Sequence, residues 1–459
     1  MRRSHKTTVA VLASLALVGS VAGCSGGDDG GDDATTAASE ATMSAECAAY
    51  QDYAGHSGTT VDVYGSILSP ESDSMETAWK EFEECTGIDI VYTGDNSFES
   101  QLPIRAQGGT PPDIAVIPQP GLIQRMATLA TGTKAVPAPD EVKANIEANY
   151  SSSWVDYATV DGEFYGGPNS ANMKTMVWYS PTAFAAAGYA IPTTWEEMMT
   201  LSDTIAATGK KPWCGGIGSG TATGWPATDW VEELVLSAKG GDVYDKWVAG
   251  DIKFNSPEIN DVMNILDGWM RNPNYVNGGF GDVATIATTT FQDAGLPILS
   301  GECFMLQQAG FYGAQWPEGT KVDPDGGDVA AFYLPPYDAS TGKPVIGGGE
   351  FFVAFNDRPE VQAVQIYFST PEWPEARIPV ATGWVSANKA VDQSLYTDPI
   401  DKLSAQYLTD PEALFRFDGS DLMPAAVGSG AEWTALTNWF NGTSTEETLA
   451  AIDAAWPTD

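Results

Sequence analysis

The chain has 459 residues, of which 61 are acidic and 22 are lysine or arginine, so its formal net charge is −39. Such an acidic surface repels nucleic-acid phosphates and anionic lipid headgroups, which excludes DNA or RNA binding as a function class. Hydrophobic residues make up 43% of the chain and aromatic residues 11%, enough for a folded protein with two or three domains' worth of core.

The N-terminus carries an export signal. Basic residues near the start precede a short apolar run at 9–18, which has the length of a signal-peptide core and falls short of the ~20 residues that span a bilayer. The motif VAGC then ends at Cys24 and resembles a bacterial lipobox, whose cysteine takes a diacylglycerol and becomes the new N-terminus. We predict a lipoprotein signal peptide over 1–23. An ordinary signal peptide with a coincidental cysteine is the alternative.

The segment after Cys24 is acidic and rich in glycine, serine, threonine and alanine, and Met43 is its first large apolar residue. Such a composition buries too little surface to order itself. We therefore predict a flexible tether over 24–56, which links the lipid on the outer face of the membrane to the folded body.

Four cysteines remain after lipidation: Cys47, Cys85, Cys214 and Cys303. An even number in an exported chain favours disulfides, and four cysteines allow three connectivities. We predict Cys47–Cys85 and Cys214–Cys303, because this pairing closes the shorter loops. The sequence has no CxxC motif, and only His56 survives processing, so we predict no metal site.

Strands and helices alternate in the first part of the folded chain. The pattern predicts strands at 61–64, 88–92 and 113–117, with helices at 74–84 and 97–107 between them. Such alternation indicates an α/β domain with a largely parallel sheet.

A second stretch begins with an apolar strand at 173–179. Helix starts follow it: Thr194 with a glutamate three residues later, a Ser-Pro-Glu sequence at 256–258, and Ser444 with another glutamate at the same spacing. The threonine and serine pairs are capping boxes, and proline is favoured in the first helical turn. The stretch therefore predicts a second unit rich in helices.

Short motifs occur in a fixed order along residues 57–459. They are FEECTGI (82–88), GTPPDI (109–114), DGEFYGGP (161–168), VWYSP (177–181), PTTWEE (192–197), WCGGIGSGTATGWPATDW (213–230), FNDRPEV (355–361) and FRFDGSDLMPAAVGSG (415–430). With these motifs the chain resembles family 1 extracellular solute-binding proteins of ABC sugar importers, the maltose-binding-protein-like group. Within that group it is similar to the α-glucoside receptors.

The resemblance implies an α/β fold of the two-lobed, periplasmic-binding-protein-like type II, with a ligand cleft between the lobes. It divides the chain into an N-terminal lobe, 57–172 plus 350–378, and a C-terminal lobe, 173–349 plus 379–459. It also implies no catalytic activity and no cofactor. The expected partners are an α-glucoside such as trehalose, sucrose or maltose and the permease subunits of an ABC importer. We expect a monomer that meets the membrane only through its lipid.

A neutral sugar needs aromatic faces for its C–H patches and planar polar groups for its hydroxyls. The motif WPATDW offers both, with Trp225 and Trp230 as stacking residues and Asp229 as a hydroxyl acceptor. Alternatively, Asp229 or Thr228 caps the following helix and both indoles pack in the core.

Other candidates are spread along the chain. Gln119 follows the carboxyl end of a strand, where open α/β sheets place ligands, or it is a turn residue. Glu350, after three glycines, binds a sugar hydroxyl or starts a strand. Trp384 is a candidate stacking residue, and Asn172, near the first expected chain crossover, is a further ligand contact.

Arg416 and Asp418 complete the candidate site. They either contact the sugar or form an ion pair with each other that shapes the cleft.

The alternative function is a secreted glycoside hydrolase. That chemistry needs two carboxylates across a cleft, roughly 5 or 6.5–9.5 Å apart, and nothing in the sequence selects a pair among the acidic residues. We therefore predict no catalytic residue and favour the importer receptor.

Overall fold

The computed structural model describes residues 45–457. The predicted signal peptide, Cys24 and most of the tether lie outside the described residues and stay predictions. Among the helices of residues 45–457, none combines the length and the apolar composition that crossing a bilayer demands.

The strands are short and are distributed along most of the chain. They are β1 (Thr60–Gly65), β2 (Asp89–Gly94), β3 (Ile114–Ile117), β4 (Thr159–Val160), β5 (Glu163–Phe164), β6 (Gly166–Pro168), β7 (Asn172–Met173), β8 (Met176–Tyr179), β9 (Lys211–Trp213), β10 (Cys303–Gln307), β11 (Ala330–Tyr333), β12 (Lys343–Gly348), β13 (Phe351–Ala354) and β14 (Ala413–Phe417).

The α-helices lie between and after the strands. They are α1 (Glu71–Ala78), α2 (Lys80–Thr86), α3 (Phe98–Gln107), α4 (Pro120–Ala127), α5 (Asp140–Asn149), α6 (Ser152–Tyr157), α7 (Pro181–Ala187), α8 (Trp195–Ala207), α9 (Trp225–Lys239), α10 (Gly241–Val248), α11 (Pro257–Met270), α12 (Leu296–Ser300), α13 (Pro359–Ser369), α14 (Glu372–Arg377), α15 (Pro399–Thr409), α16 (Gly419–Leu422), α17 (Trp433–Phe440) and α18 (Thr445–Asp453).

The first sheet has the order β2-β1-β3-β13-β6. β1 pairs in parallel with β2 and β3, whereas β13 is antiparallel to both β3 and β6. The apolar strand β3 is fully buried, because helices cover both faces of such a sheet. Phe98, Leu102 and Ala106, spaced four residues apart on α3, pack in the hydrophobic core of this sheet, which we call the first core.

Two further sheets, β11-β8-β10-β9 and β14-β12-β7, carry the second core. Trp178 of the buried strand β8 belongs to it, as do Trp213 and Trp269, whose rings meet edge to face with centroids 5.1 Å apart. Helices α9 and α11 pack together in this part, which is the helix-rich unit that the sequence predicts.

The chain passes between the two parts at neighbouring points. The first passage links β6 to β7, and the return links β12 to β13. Gly348 pairs with Asn172, and the backbone N–H of Asn169 donates to the carbonyl oxygen of Glu350 at 2.7 Å. The two connecting segments therefore lie side by side.

The segment around Trp384 differs from the division that the resemblance implies. Trp384, Val385, Val391 and Tyr396 pack in the first core, although the expected boundary places them in the C-terminal lobe. Ala171 and Val385 form an isolated antiparallel β-bridge. The backbone N–H of Ala171 donates to the carbonyl oxygen of Val385 at 2.8 Å. This segment thus forms a third link beside the other two, and the exact lobe boundaries stay a prediction.

The structure contains both predicted disulfides, Cys47–Cys85 and Cys214–Cys303. The first holds a 3₁₀-helix at Ala45–Tyr53 against the body of the protein. The prediction of a flexible tether up to residue 56 is therefore wrong at its end, because the disulfide and the packed tyrosines of this helix order the chain from residue 45 onward.

Several local expectations hold, but the strand expected at 173–179 is divided into β7 and β8, which lie in different sheets. Ser444 begins α18 with the predicted capping box. Thr194 caps α8 without the reciprocal bond of a capping box, because the Glu197 carboxylate accepts from Thr193 instead. The helix expected at 74–84 is two helices, α1 and α2, broken at Trp79. The break allows the buried Trp79 to stack on Trp373, with ring centroids 5.9 Å apart.

Candidate functional site

A cavity of about 390 Å³ lies between the first and second cores. This volume falls within the ~300–1,000 Å³ typical of small-molecule sites. Its lining on one side follows the carboxyl ends of β1 and β3, including Ser66 and Gln119. Ligands of open α/β sheets bind at this edge, because side chains of successive loops converge there.

Aromatic side chains form one wall, which we call the aromatic wall: Trp225, Phe291, Phe311 and Trp433. The ring of Trp225 meets Phe291 with centroids 5.0 Å apart and Phe311 at 6.0 Å. These rings therefore support one another and hold a half-buried indole face at the cavity.

The first turn of α9 positions Trp225. Gly224 precedes it with a φ of 117°, a conformation that side-chain-bearing residues rarely adopt. A Cβ at Gly224 would lie 2.3 Å from the carbonyl oxygen of Trp433. The glycine thus allows α9 to approach Trp433 closely, and the two indoles join the same wall.

Carboxyl and amide groups form the opposite side, which we call the carboxylate wall: Glu71, Glu99, Gln119 and Glu350. Burial raises the pKa of Glu71 to about 7, with a further rise from the charge of Glu350, and burial likewise raises the pKa of Glu99 to about 7. Glu99 Oε2 and Gln119 Oε1 are buried without a hydrogen-bond partner among the described residues. Both residues line the cavity, and these two acceptor oxygens lack a protein donor.

Lys174 lies at the floor of the cavity, between two carboxylates. Its Nζ donates to Asp229 Oδ1 at 2.8 Å and to Asp418. Burial alone would raise the pKa of Asp418, but the ammonium group of Lys174 outweighs it and holds that pKa below its usual value. Burial raises the pKa of Asp229 to about 7. Lys174 also lies 5.4 Å from the ring centre of Trp225, so its ammonium group lies beside the aromatic wall.

The oxygens of Asp229, Glu232 and Asp418 lie close enough together to suggest a metal site. A protein donor already binds at least one oxygen of each residue, however. Glu232 accepts from the backbone N–H groups of Gly419 and Ser420 at 2.8 and 2.9 Å. The Nζ of Lys174 donates hydrogen bonds to Asp229 and Asp418. The cluster is therefore a structural ion network.

Five of the predicted ligand contacts line the cavity: Gln119, Asn172, Trp225, Glu350 and Asp418. They lie on elements of both parts of the protein and on the segments that connect these parts. Whether they contact a sugar stays a prediction, but the fold brings them to one place.

The second half of the WPATDW motif lies elsewhere. Asp229 is buried behind the cavity lining and bonds Lys174, so it acts on the cavity only through that lysine. Trp230 is 1% exposed and packs edge-on against Phe440 in the second core. A helix turns by about 140° over five residues, so Trp225 and Trp230 cannot share one face. The assignment of Trp230 to sugar stacking is corrected to core packing.

Two other candidates also need correction. Trp384 is buried in the first core, where it lies 4.6 Å from the guanidinium of Arg377, and does not line the cavity. Arg416 binds Asp245 at 2.6 and 2.8 Å instead of the expected Asp418. Asp418 forms its ion pair with Lys174 instead, because a fully buried carboxylate requires an equally buried cation.

Sequence reasoning missed several cavity residues, among them Glu71, Glu99, Lys174, Phe291 and Trp433. For Lys174 a signal existed: a lysine inside an apolar strand requires a buried partner. The others come from loops and helices that are distant in sequence, and no local pattern marks them.

Two α/β parts with chain links between them, and a cavity enclosed where the links lie, define a type II periplasmic binding protein fold. The fold class predicted from the sequence is confirmed. The model of the bacterial extracellular solute-binding protein family matches residues 68–369. The chain belongs to this family.

Relatives with known names support the same membership. The chain is 36% identical over 410 residues to the alpha-glucosides-binding periplasmic protein AglE of Rhizobium meliloti, covering 87% of each chain. It is 37% identical over 404 residues to the osmoprotective compounds-binding protein GgtB of Synechocystis, covering 86% of this chain and 92% of that one.

Solved structures share the fold at low sequence identity. The solute receptor AcbH, described as preferring β-D-galactopyranose, superposes with a TM-score of 0.72 at 18% identity, covering 87% of this chain and 97% of that one. Maltose-bound MalE3 of T. maritima superposes with a TM-score of 0.65 at 16% identity, covering 86% and 98%.

Proposed function

We propose that the protein captures an α-glucoside in the cavity and delivers it to the membrane permease of an ABC importer. The observation that carries this proposal is the pairing of an aromatic wall with a carboxylate wall across one cavity of small-ligand size. The identity to a protein named for α-glucoside binding, over nearly the whole chain, supports the choice of sugar.

The chemistry of the two walls fits a glycoside. Trp225 offers an indole face to the C–H patch of a pyranose, and a ring stacked in this way gains about 0.5–1.5 kcal/mol beyond its buried area. Glu99 and Gln119 offer unpaired acceptors to hydroxyl groups. A hydroxyl that bonds an ionised carboxylate contributes roughly 1.5–3 kcal/mol.

In this proposal the protein binds the sugar without cleaving it. Carboxyl groups with raised pKa, such as Glu71 and Glu99, also occur in glycosidases as general acids, which is why hydrolysis has to be tested directly. The relatives are named as binding proteins, which supports a receptor.

We also propose that the mature protein is a monomer held on the outer face of the membrane by lipid on Cys24. The lipobox-like motif supports the anchor, and the name of the periplasmic relative supports export. Replacing Cys24 by serine should abolish firm membrane attachment in fractionation while the body still folds. Equal attachment of the variant and the parent would contradict the anchor.

The test of function is titration calorimetry with trehalose, sucrose and maltose, followed by product analysis of the same mixtures. We expect heat of binding with at least one disaccharide and no released monosaccharide. Binding of none of the three contradicts the proposed ligand class. Released glucose, lost in a Glu71→Gln or Glu99→Gln variant, would support a hydrolase instead.

A further inference from the structure

Arg377, the last residue of α14, is fully buried and incompletely paired. Its side chain is 0% exposed, and its Nη1 donates to Asn169 Oδ1 at 3.3 Å. Its Nε and Nη2 have no partner among the described residues. Burying a guanidinium with free donors is costly, so a side chain retained in this state calls for a compensating role.

One face of the guanidinium is covered by aromatic rings. Arg377 lies 4.6 Å from the ring centre of Trp384 and 5.6 Å from that of Trp373. Cation–π contacts of this kind fix the plane and the direction of the group.

The charge of Arg377 acts on the carboxylate wall. The carboxyl groups of Glu71 and Glu350, both of which line the cavity, are its opposing charges. Asn169, which accepts from Arg377, in turn donates from Nδ2 to Glu350 Oε2 at 3.5 Å, and the hydroxyl of Ser170 also donates to this oxygen. A continuous chain of hydrogen bonds therefore runs from the guanidinium to a cavity carboxylate.

The same contacts join the links between the two parts of the protein. Asn169 and Ser170 belong to the first passage of the chain, and Glu350 belongs to the return. Arg377 itself precedes the segment in which Val385 bridges to Ala171. One buried cation thus lies where all three links meet.

We propose that Arg377 is the positioning residue of the carboxylate wall: through Asn169 it aims Glu350 at the ligand, and its free Nε and Nη2 receive the Glu71 and Glu350 carboxylates when a sugar is bound. This inference rests on the proposed sugar binding. Arg377 does not line the cavity, so it sets affinity without touching the ligand.

The effect on pH dependence separates this role from simple packing. Burial and the charge of Glu350 raise the pKa of Glu71, whereas the charge of Arg377 lowers it. Tyr92 is the other titratable group of this cluster and is neutral near pH 7, because burial raises its pKa further. Without the guanidinium, Glu71 takes up its proton at higher pH and loses its charge-assisted hydrogen bonds to hydroxyls.

The experiment measures disaccharide affinity by calorimetry from about pH 5.5 to 9 for the parent, Arg377→Met and Arg377→Lys. Arg358→Met is the matched control, because it removes the same charge at a half-exposed site that pairs with Asp113 and Glu360. Melting curves at each pH report the folded fraction.

We expect Arg377→Met to bind the disaccharide about tenfold more weakly than the parent at pH 7. Its affinity should increase with pH as the parent's does, but with a midpoint at higher pH. Arg377→Lys should keep the parent's pH midpoint but bind more weakly, because one ammonium cannot serve Asn169 and both carboxylates. Arg358→Met should match the parent in both respects.

A folded Arg377→Met with the parent's affinity and pH profile overturns the proposal. If Arg377→Met does not fold, Arg377→Lys decides, and parental affinity in that variant overturns it equally. A parent that binds no glycoside contradicts the proposed function itself, which is a separate result.

Discussion

The two walls of the cavity are built in different ways. The carboxylate wall consists of groups in the first turns of α1 and α3, after β3, and between β12 and β13, and burial raises the pKa of Glu71 and of Glu99 to about 7. In the aromatic wall, the rings of Trp225, Phe291 and Phe311 pack against one another, with Trp225 at the start of a long helix. One wall therefore responds to pH, whereas the other contributes a fixed apolar surface. If the ligand contacts both walls, its affinity should have a pH-dependent contribution from the carboxylate wall and a pH-independent contribution from the aromatic wall.

The largest effect is expected at the aromatic wall. Trp225→Ala should weaken disaccharide binding by about 100-fold, since each 1.4 kcal/mol is a factor of ten and the substitution removes a stacked ring and its support of Phe291. Calorimetry at two pH values should show the same loss at both. A loss confined to one pH would contradict the division between the walls.

Trp230→Ala is the matched control on the same helix. Removing a buried indole from the second core should lower the free energy of unfolding by about 3–5 kcal/mol. The folded fraction should bind sugar with unchanged affinity, which a melting curve and a titration on one sample can verify. Weakened binding by the folded protein would return Trp230 to the site.

The next effect concerns Lys174, which lies beside the aromatic wall. Asp418→Asn should weaken binding about tenfold, because Asp418 both lines the cavity and neutralises the ammonium group. Asp229→Asn should cost less, since Asp229 lies behind the lysine and its pKa is already raised to about 7. Equal losses in the two variants would show that charge balance alone matters. Titration calorimetry at pH 7 measures both.

A smaller effect should appear as pH dependence. Glu99 is largely protonated below its raised pKa of about 7, and a sugar hydroxyl binds the ionised form more tightly. Affinity should therefore rise by several-fold from pH 6 to pH 8, and binding should release protons. Glu99→Gln should reduce this rise to the part due to Glu71, without altering the loss caused by Trp225→Ala. A parent with pH-independent affinity would contradict the role of the carboxylate wall.

The smallest effect is expected at Arg416. Arg416→Ala breaks an ion pair with the exposed Asp245, which contributes roughly 0.2–1 kcal/mol to stability. Sugar affinity should stay within about twofold of the parent. A large loss of affinity would place Arg416 back among the ligand contacts.

Several features follow from local sequence. The alternation of strands and helices predicted the first sheet, and the capping serine Ser444 predicted the start of α18. Loop length predicted the disulfide pairing. Gln119 was placed at the cavity from its position after β3, because the topology of a parallel sheet fixes where strand ends converge.

Residues that act through distant partners escaped prediction. Asp229 and Trp230 stand beside Trp225 in the sequence, yet only the register of α9 decides which side chain reaches the cavity. Arg416 and Asp418 are two residues apart, yet they bind Asp245 and Lys174.

The sequence by itself determined the family, the fold class and the covalent framework, because these depend on periodic patterns and on motif order. Only the tertiary structure decided which charges meet. Lys174, Asp229 and Asp418 come from three separate elements, and Arg377 reaches Glu350 through Asn169. A buried charge is stable only beside a partner of opposite charge or a hydrogen-bond partner, and packing brings such partners together from positions that the sequence does not connect.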